Sequence, residues 1–579
     1  MDQKITVLKF GSSVLRDESD LPRVVHEIYS RWRRGSQVLA VVSAFGNTTD
    51  ELLERANAIS DQPHARSVAS LLATGEATAA ALLGLALDKA GIPVKVLRPE
   101  QAGLTTTGQI LDAELTGADD TRLRDELKTS VVVVSGFVGI DEKNEIALLG
   151  RGGSDLTAIF LADRLGAECV LVKDVDGLYE TDPNLSTSIP RRFRRANWQT
   201  VRNVGADVVQ EKAVKYAETV GLNFSITAIG SNAETEVHDG PDELITSSHL
   251  FDRPLRVSIL GCGTVGGGVF RAISKLPTAF EIVAVADRNP DKARTAGVPE
   301  NLFTPDPTDA IEKDCDVVIE LLGRTDPTRG YIELALKLGR HVVTANKALL
   351  AEDRDRLEQI AFSHGGSLSY SAAVGGVMPA LEAVSNSSTL KSFSGVVNGT
   401  CNFICDELAK GESRAASIRA AQVAGFAESD PTLDISGRDS AQKLCLLAQA
   451  AFGIELCEED VSTAGIEDLE TSDVRAAISR GNVVRLVASC RRTDDGIEAT
   501  VEPVELPSTH PFAELKGADN SLLLEYTDGT IRSIRGRGAG RWATTEAVIA
   551  DLLDLRKESQ QQRIEPLAIA GAAGQEVYA

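Results

Sequence analysis

Short apolar runs recur along this chain, and most of them end in glycine, serine or an acid. In the first part they fall at residues 4–8 (KITVL), 37–43, 131–139 (VVVVSGFVG) and at the start of 168–184, which goes on as an acidic, turn-rich loop. Runs of that length bounded by turn residues read as buried strands. Longer stretches with helical spacing lie between them, over residues 66–90 and from Leu156 onward. Strands alternating with helices predict an α/β layer with ligands at the strand ends. The alternation restarts at LRVSIL (255–260). It continues through EIVAVAD, which ends at Asp287, CDVVIELLG (315–323) and RHVVTANKALL (340–350). Further on, an apolar helix begins at Asp439, a polar strand-rich stretch covers 482–533, and a last helix runs towards residue 555.

These breaks divide the chain into an α/β domain at 1–233 and a polar connector at 234–253 with a short strand at 243–245. A second α/β domain follows at 254–384, then an α+β domain at 385–533, a C-terminal return at 534–556 and a tail at 557–579. A length of 579 residues agrees with several cores. The net charge of −24 argues against a nucleic-acid partner, which needs a basic face. No uninterrupted apolar run approaches eighteen residues and no leader pattern opens the chain, so the expectation is a cytoplasmic protein without a membrane partner. The eight cysteines are scattered without a CxxC pair and read as free thiols, and seven scattered histidines do not suggest a metal site.

Three stretches carry candidate chemistry. Gly261-Cys262-Gly263-Thr264-Val265-Gly266 lies between a strand and a helix, and Asp287 closes the next strand. That spacing is the dinucleotide-binding half-site: backbone approaches the pyrophosphate and the acid reaches the ribose. Asp287 suits the free 2′-hydroxyl of NAD, and Arg288 suits the 2′-phosphate of NADP, so either cofactor is expected. The second stretch, residues 424–443, holds Glu428, Asp430, Asp434 and Asp439, then Lys443. Asp439 and Lys443 share one helix face. They read either as carboxylates that grip an amino acid beside a proton-moving lysine, or as a surface ion pair. The third is Lys9-Phe10-Gly11-Ser12-Ser13, a small-residue turn with a cation after a strand, which can cradle phosphate without being a Walker loop.

The second stretch resembles the homoserine dehydrogenase signature AxxxGxxxxDPxxDxxGxDxxxK, with Ala421, Gly425, Asp430, Pro431, Asp434, Gly437, Asp439 and Lys443 in place. TANKAL, the NGTxNxI turn at 395–404 and a GPGAGxxxT-like turn in 535–545, with Arg537 for proline, resemble the same family. The resemblance implies reduction of aspartate semialdehyde to homoserine with NAD or NADP, in threonine and methionine biosynthesis. Lys443 would be the acid/base, with Lys347, Asp439 and Asp434 beside it. Glu428, Asp439 and Thr400 would hold substrate. Gly261, Gly263, Thr264, Val265, Gly266, Asp287, Arg288, Gly323, Thr344, Lys347, Gly425 and Gly540 would border the cofactor. The loop 371–379 resembles the family's EAxVGxGxP, with Ser371 for glutamate. It implies a sodium ion on Val374, Gly376 and Met378.

The first part resembles the amino-acid kinases, most closely aspartate kinase, through KFGSS, VSAFGNTT, TGE, GFVG, GRGGSDLTA and KDVDGLYETDP in order. That implies an αβα sandwich ahead of a Rossmann domain and its α+β substrate and dimerisation domain. Lys9, Gly11, Ser12 and Asp174 would face ATP and Mg²⁺, with the loop to Asp182 beside them. Ser43, Glu76, Arg151, Ser154 and Asp155 would hold aspartate: Arg151 suits its carboxylate and Glu76 its ammonium. Three departures stand out: Ser12 replaces a glycine, Lys173 a threonine, and Gln210-Glu211 a histidine–proline pair. Fusions of the two families usually carry small regulatory domains between the halves. The polar 234–253 connector implies their absence, and threonine is expected not to inhibit through that route. A homo-oligomer, dimer or tetramer, is implied. Two alternatives stay open: a dehydrogenase with an inactive kinase-like half, and a non-enzymatic NAD(P)-sensing protein.

Overall fold

The computed structural model describes residues 4–181, 190–205, 208–231, 233–245, 253–385, 388–427, 430–494, 496–538 and 540–573. The chain forms two compact units. One holds residues 1–89, 93–254 and 553–579; the other holds 90–92 and 255–552.

The first unit is built on a nine-stranded sheet. Its strands are β1 (Ile5–Phe10), β2 (Gln37–Val42), β3 (Val94–Leu97), β4 (Val131–Ser135), β5 (Glu168–Lys173), β6 (Arg192–Asn197), β7 (Phe224–Ala228), β8 (Glu234–His238) and β9 (Glu243–Ile245). They lie in the order β9-β6-β8-β7-β5-β1-β2-β4-β3. The strands from β7 to β3 run parallel, and β8 joins β7 antiparallel. Every residue of β1 and β4 is buried, as expected when a parallel sheet is covered on both faces. Helices α1 (Ala65–Ala90) and α2 (Gly153–Leu165) belong to those layers.

Two sequence readings change here. The connector proposed at 234–253 begins inside the fold, because β8 and β9 are strands of the sheet. β8 alternates: Thr235 and Val237 are buried, and the Thr235 hydroxyl donates to the Phe193 carbonyl at 2.6 Å. Its glutamates face outward and gave the stretch a linker's composition. Helix α1 is also long and apolar enough to cross a membrane by length and composition. Its polar interruptions broke the run in the sequence. It is a core helix, with Leu72, Ala79, Leu83 and Leu87 buried and a buried glutamate, Glu76, midway.

The second unit opens with β10 (Leu255–Leu260), β11 (Phe280–Ala286), β12 (Phe303–Thr304), β13 (Val317–Glu320), β14 (His341–Thr344) and β15 (Leu368–Ser369). All neighbours are parallel, in the order β12-β11-β10-β13-β14-β15. This is the doubly wound arrangement whose switch point lies between the first and fourth strands. Helices α3 (Thr264–Ile273) and α4 (Lys347–His364) follow β10 and β14.

A second sheet of this unit contains β16 (Leu390–Val396), β17 (Ser462–Thr463), β18 (Asn482–Thr493), β19 (Gly496–Pro507), β20 (Asp519–Tyr526) and β21 (Ile531–Arg537), in the order β17-β19-β18-β16-β20-β21. Helices α5 (Gly399–Ala409) and α6 (Arg438–Phe452) share its core with Phe393, Leu486 and Leu522. A last helix, α7, runs from Arg541 to Ala573. The return read at 534–556 and the tail at 557–579 are therefore divided differently. Residues to 552 group with the second unit, and Arg556 donates to the Gly230 carbonyl at 2.6 Å within the first. The glutamines, glutamates, leucines and alanines of the supposed tail are good helix formers.

Candidate functional site

In the second unit a cleft of about 1170 Å³ gathers Lys347, Asn398, Thr400, Gly425, Asp430, Asp434, Asp439, Lys443 and Gly540. Asp439 sits in the first turn of α6 and Lys443 one turn on, both buried among Leu444, Leu446 and Leu447. Lys443 Nζ lies 3.0 Å from Asp439 Oδ2 and donates to the Val397 carbonyl at 2.7 Å. Lys347, at the start of α4, pairs with Asp439 Oδ1. One carboxylate thus faces two ammonium groups. Burial raises the Asp439 pKa, but Lys443 and Lys347 outweigh it and hold the carboxyl far below its ordinary range. An ammonium has three donors, and the two contacts of Lys443 leave one for the cleft.

Asn398 ties the site together. As the N-cap of α5 it accepts the Cys401 N–H at 2.8 Å, while its amide donates to Asp434 at 2.7 Å and to Asp439 at 2.8 Å. Asp434 therefore reaches the lysines through Asn398 and Asp439. Thr400 Oγ1 donates to the Phe426 carbonyl at 2.7 Å and so fixes the loop that carries Gly425. Asp430 accepts from the Thr432 N–H and hydroxyl, capping its own turn. Glu428 lies outside the described residues.

The dinucleotide loop has the geometry its spacing predicts. A Cβ on Gly266 would lie 1.9 Å from the Gly261 carbonyl oxygen, so strand and helix meet only because that Cβ is missing. Gly263 has open space around it, and α3 begins at Thr264 without a side-chain cap. An anion can meet those N–H groups. Asp287 is buried and accepts the Cys262 N–H at 2.8 Å and the Asn289 N–H at 2.9 Å; Arg288 is exposed beside it. The residues fit NAD(P). Glu320, at the end of β13, is fully buried. It takes the Thr344 hydroxyl and the Leu322 N–H, each at 2.6 Å, and so holds the turn that leads to Gly323. In the proposed cation loop, Met378 O accepts the Ala380 N–H at 2.7 Å, and the Ser371 N–H donates to Asp551 at 3.2 Å.

In the first unit a cleft of about 830 Å³ brings together Lys9, Gly11, Ser12, Ser43, Glu76, Arg151, Ser154, Asp155 and Asp174. It opens at the ends of β1, β2 and β5. Asp155, in the first turn of α2, is 2.7 Å from Lys9 Nζ and 2.9 Å from Lys173 Nζ. Burial raises its pKa, but Lys173 and Lys9 win and bring it down to about 2. A Cβ on Gly11 would lie 2.7 Å from the Lys9 ammonium. Ser12 has no positive φ, so the serine brings no left-handed strain. Glu76 is buried, its Oε2 has no hydrogen-bond partner among the described residues, and burial pushes its pKa up to about 7. Arg151 and Asp174 are exposed at the rim. Asp182 lies outside the described residues.

The sequence named most of these residues and missed Asn398 and Glu320. Asn398 carried a signal, a capping asparagine before an apolar helix. Glu320 sits in an apolar run and carried none.

Known families match the chain in three segments. Residues 4–227 match the amino acid kinase family, 261–371 the homoserine dehydrogenase NAD binding domain, and 377–553 homoserine dehydrogenase. The homoserine dehydrogenase of Neisseria gonorrhoeae is 33% identical over 53% of this chain and 73% of its own length. That of Lactococcus lactis is 34% identical over 54% and 76%. A crystal structure of a homoserine dehydrogenase from Thiobacillus denitrificans is 36% identical, with a TM-score of 0.50, over 52% of this chain and 73% of that one.

Proposed function

The chain belongs to the homoserine dehydrogenase family, behind an N-terminal amino acid kinase domain, and we propose how its two clefts divide the chemistry. The enzyme is an NAD(P)-dependent homoserine dehydrogenase. The observation that supports the assignment of its chemistry is the Lys347–Asp439–Lys443 cluster facing the cleft, with Asp439 and Lys443 buried.

Gly261, Gly263, Gly266 and Asp287 would hold NAD(P), which when bound would supply hydride chemistry for reducing the aldehyde of aspartate semialdehyde. The carbonyl oxygen then needs a proton as it becomes an alkoxide. Lys443 gives that proton through its remaining N–H. Asp439 holds Lys443 and Lys347 together, and the Val397 carbonyl fixes the angle of Lys443. Lys347 adds positive charge beside the same oxygen. Asn398 keeps Asp439 and Asp434 aligned, and Thr400 holds Phe426, next to Gly425 at the cleft. Glu428 takes the substrate ammonium. Asp287 and Arg288 select the ribose form, with both NAD and NADP accepted. A sodium ion on the Val374, Gly376 and Met378 carbonyls would stiffen the loop beside the cleft. The test is homoserine-dependent formation of NAD(P)H by purified protein. Lys443→Met should lower kcat by about 10²–10⁴-fold with little change in KM for the cofactor. An unchanged rate would remove Lys443 from the mechanism.

The first cleft phosphorylates a carboxylate, with aspartate as acceptor and MgATP as donor. Charge neutralisation by Lys9 and placement by Arg151 and Glu76 support this reading. Its product would need a separate reductive step before the dehydrogenase could use it. A soluble homo-oligomer completes the picture.

A further inference from the structure

Lys173 is the cleft residue whose chemistry the kinase reading leaves unused. It ends β5, beside β1, and the register pairs Lys9 with Leu171. Lys173 stands two residues further along, so it shares a sheet face with Lys9. Both ammonium groups turn to the same carboxylate: Lys9 at 2.7 Å from Asp155, Lys173 at 3.1 and 2.9 Å from its two oxygens. All three side chains are buried, at 6%, 8% and 3% exposure for Lys9, Lys173 and Asp155. A buried cation is costly unless paired, and one carboxylate balances only one of the two. The excess positive charge lies at the N-terminus of α2, where the helix dipole adds to it. Three features at the closed end of the cleft therefore ask for an anion, while Asp174 lies at its open rim.

We propose that Lys173 is a second phosphate-binding cation of the kinase cleft, which leaves Asp155 for the terminal phosphate of ATP. The inference rests on the kinase reading above and adds to it. In the transfer, a carboxylate oxygen of the acceptor forms a bond to the terminal phosphorus. The bond from that phosphorus to the bridging oxygen breaks, and its electron pair stays on the ADP oxygen. The acceptor carboxylate is already ionised, so no proton moves. Lys9 and Lys173 flank the charge on the transferring group, and Asp155 holds both in place beforehand. Burial brings the Lys173 pKa down to about 8, so the ammonium form still prevails at neutral pH.

The test compares two nucleotides on the full-length protein. MgATP and MgADP are titrated by calorimetry into wild type, Lys173→Met and Lys173→Arg, with homoserine dehydrogenase activity measured on each sample. Asp155 keeps Lys9 at 2.7 Å in the methionine variant, so its buried charge stays paired. Lys173→Thr serves as a second neutral variant if Lys173→Met fails to fold. The expected result is at least a tenfold loss of MgATP affinity in the neutral variant, less than threefold for MgADP, and recovery with arginine. Equal losses for both nucleotides, or none, would overturn the role of Lys173 and leave the kinase reading intact. A wild-type protein that binds neither nucleotide would overturn both.

Discussion

Asp439 is the residue on which the dehydrogenase cleft turns, because it pairs with a buried and a half-buried lysine at once. Asp439→Asn leaves those cations without their carboxylate, which costs about 3–5 kcal/mol for a buried pair. We expect a lower unfolding midpoint in denaturant together with a large loss of kcat; a variant with wild-type stability would contradict the pairing. The sign with pH follows from the depressed pKa. The unfolded carboxyl titrates near about 3.9, so the contribution is complete above that pH and fades as acid reaches the folded value. Glu76 runs the other way. Burial lifts its pKa to about 7, so below neutrality it is protonated and offers no charge to an ammonium. The KM for aspartate should rise by about fivefold between pH 7 and 6, and Glu76→Gln should hold it high and flat. A pH-independent wild-type KM would remove Glu76 from that role. At this scale Lys9, Asp439 and Lys443 were legible because their spacing places them at a strand end and on one helix face, whereas Asp155 was named through the family resemblance alone. Lys173 was visible only as a substitution, and its partnership with Asp155 needed the parallel register of β1 and β5.

The turn between β10 and α3 is the element most fully determined by its residues. Gly266→Ala would push a Cβ against the Gly261 carbonyl, separating helix from strand. We expect NAD(P) binding to be lost by fluorescence titration, with the first unit's nucleotide binding unchanged; retained cofactor affinity would contradict the close approach. Buried parallel strands such as β1, β4 and β10 were plain in the sequence because most of their side chains are apolar. β8 was not, since an edge region shows polar residues to water on one face and its inward positions are only Thr235, Val237 and His238. The C-terminal part of α7 was hidden for a related reason: composition gives helix propensity but no partner.

For the whole molecule, β9 ends at Ile245 and β10 starts at Leu255, and we expect no regulatory domain between the two units. Threonine titrated against dehydrogenase activity should therefore give no strong, cooperative inhibition; a sigmoidal loss of activity would show a regulatory site elsewhere in the chain. Each cleft is lined by residues of its own unit, so the two activities should be separable by single substitutions. The most direct measurement takes one purified sample through two assays. Aspartate- and ATP-dependent acyl phosphate is trapped with hydroxylamine, and homoserine-dependent NAD(P)H is followed by absorbance. The expected result is product in both, with Lys9→Met silencing only the first and Lys443→Met only the second. NAD(P)H without acyl phosphate in the wild type would contradict two enzymes on one chain and leave the first unit as a kinase fold that no longer transfers phosphate.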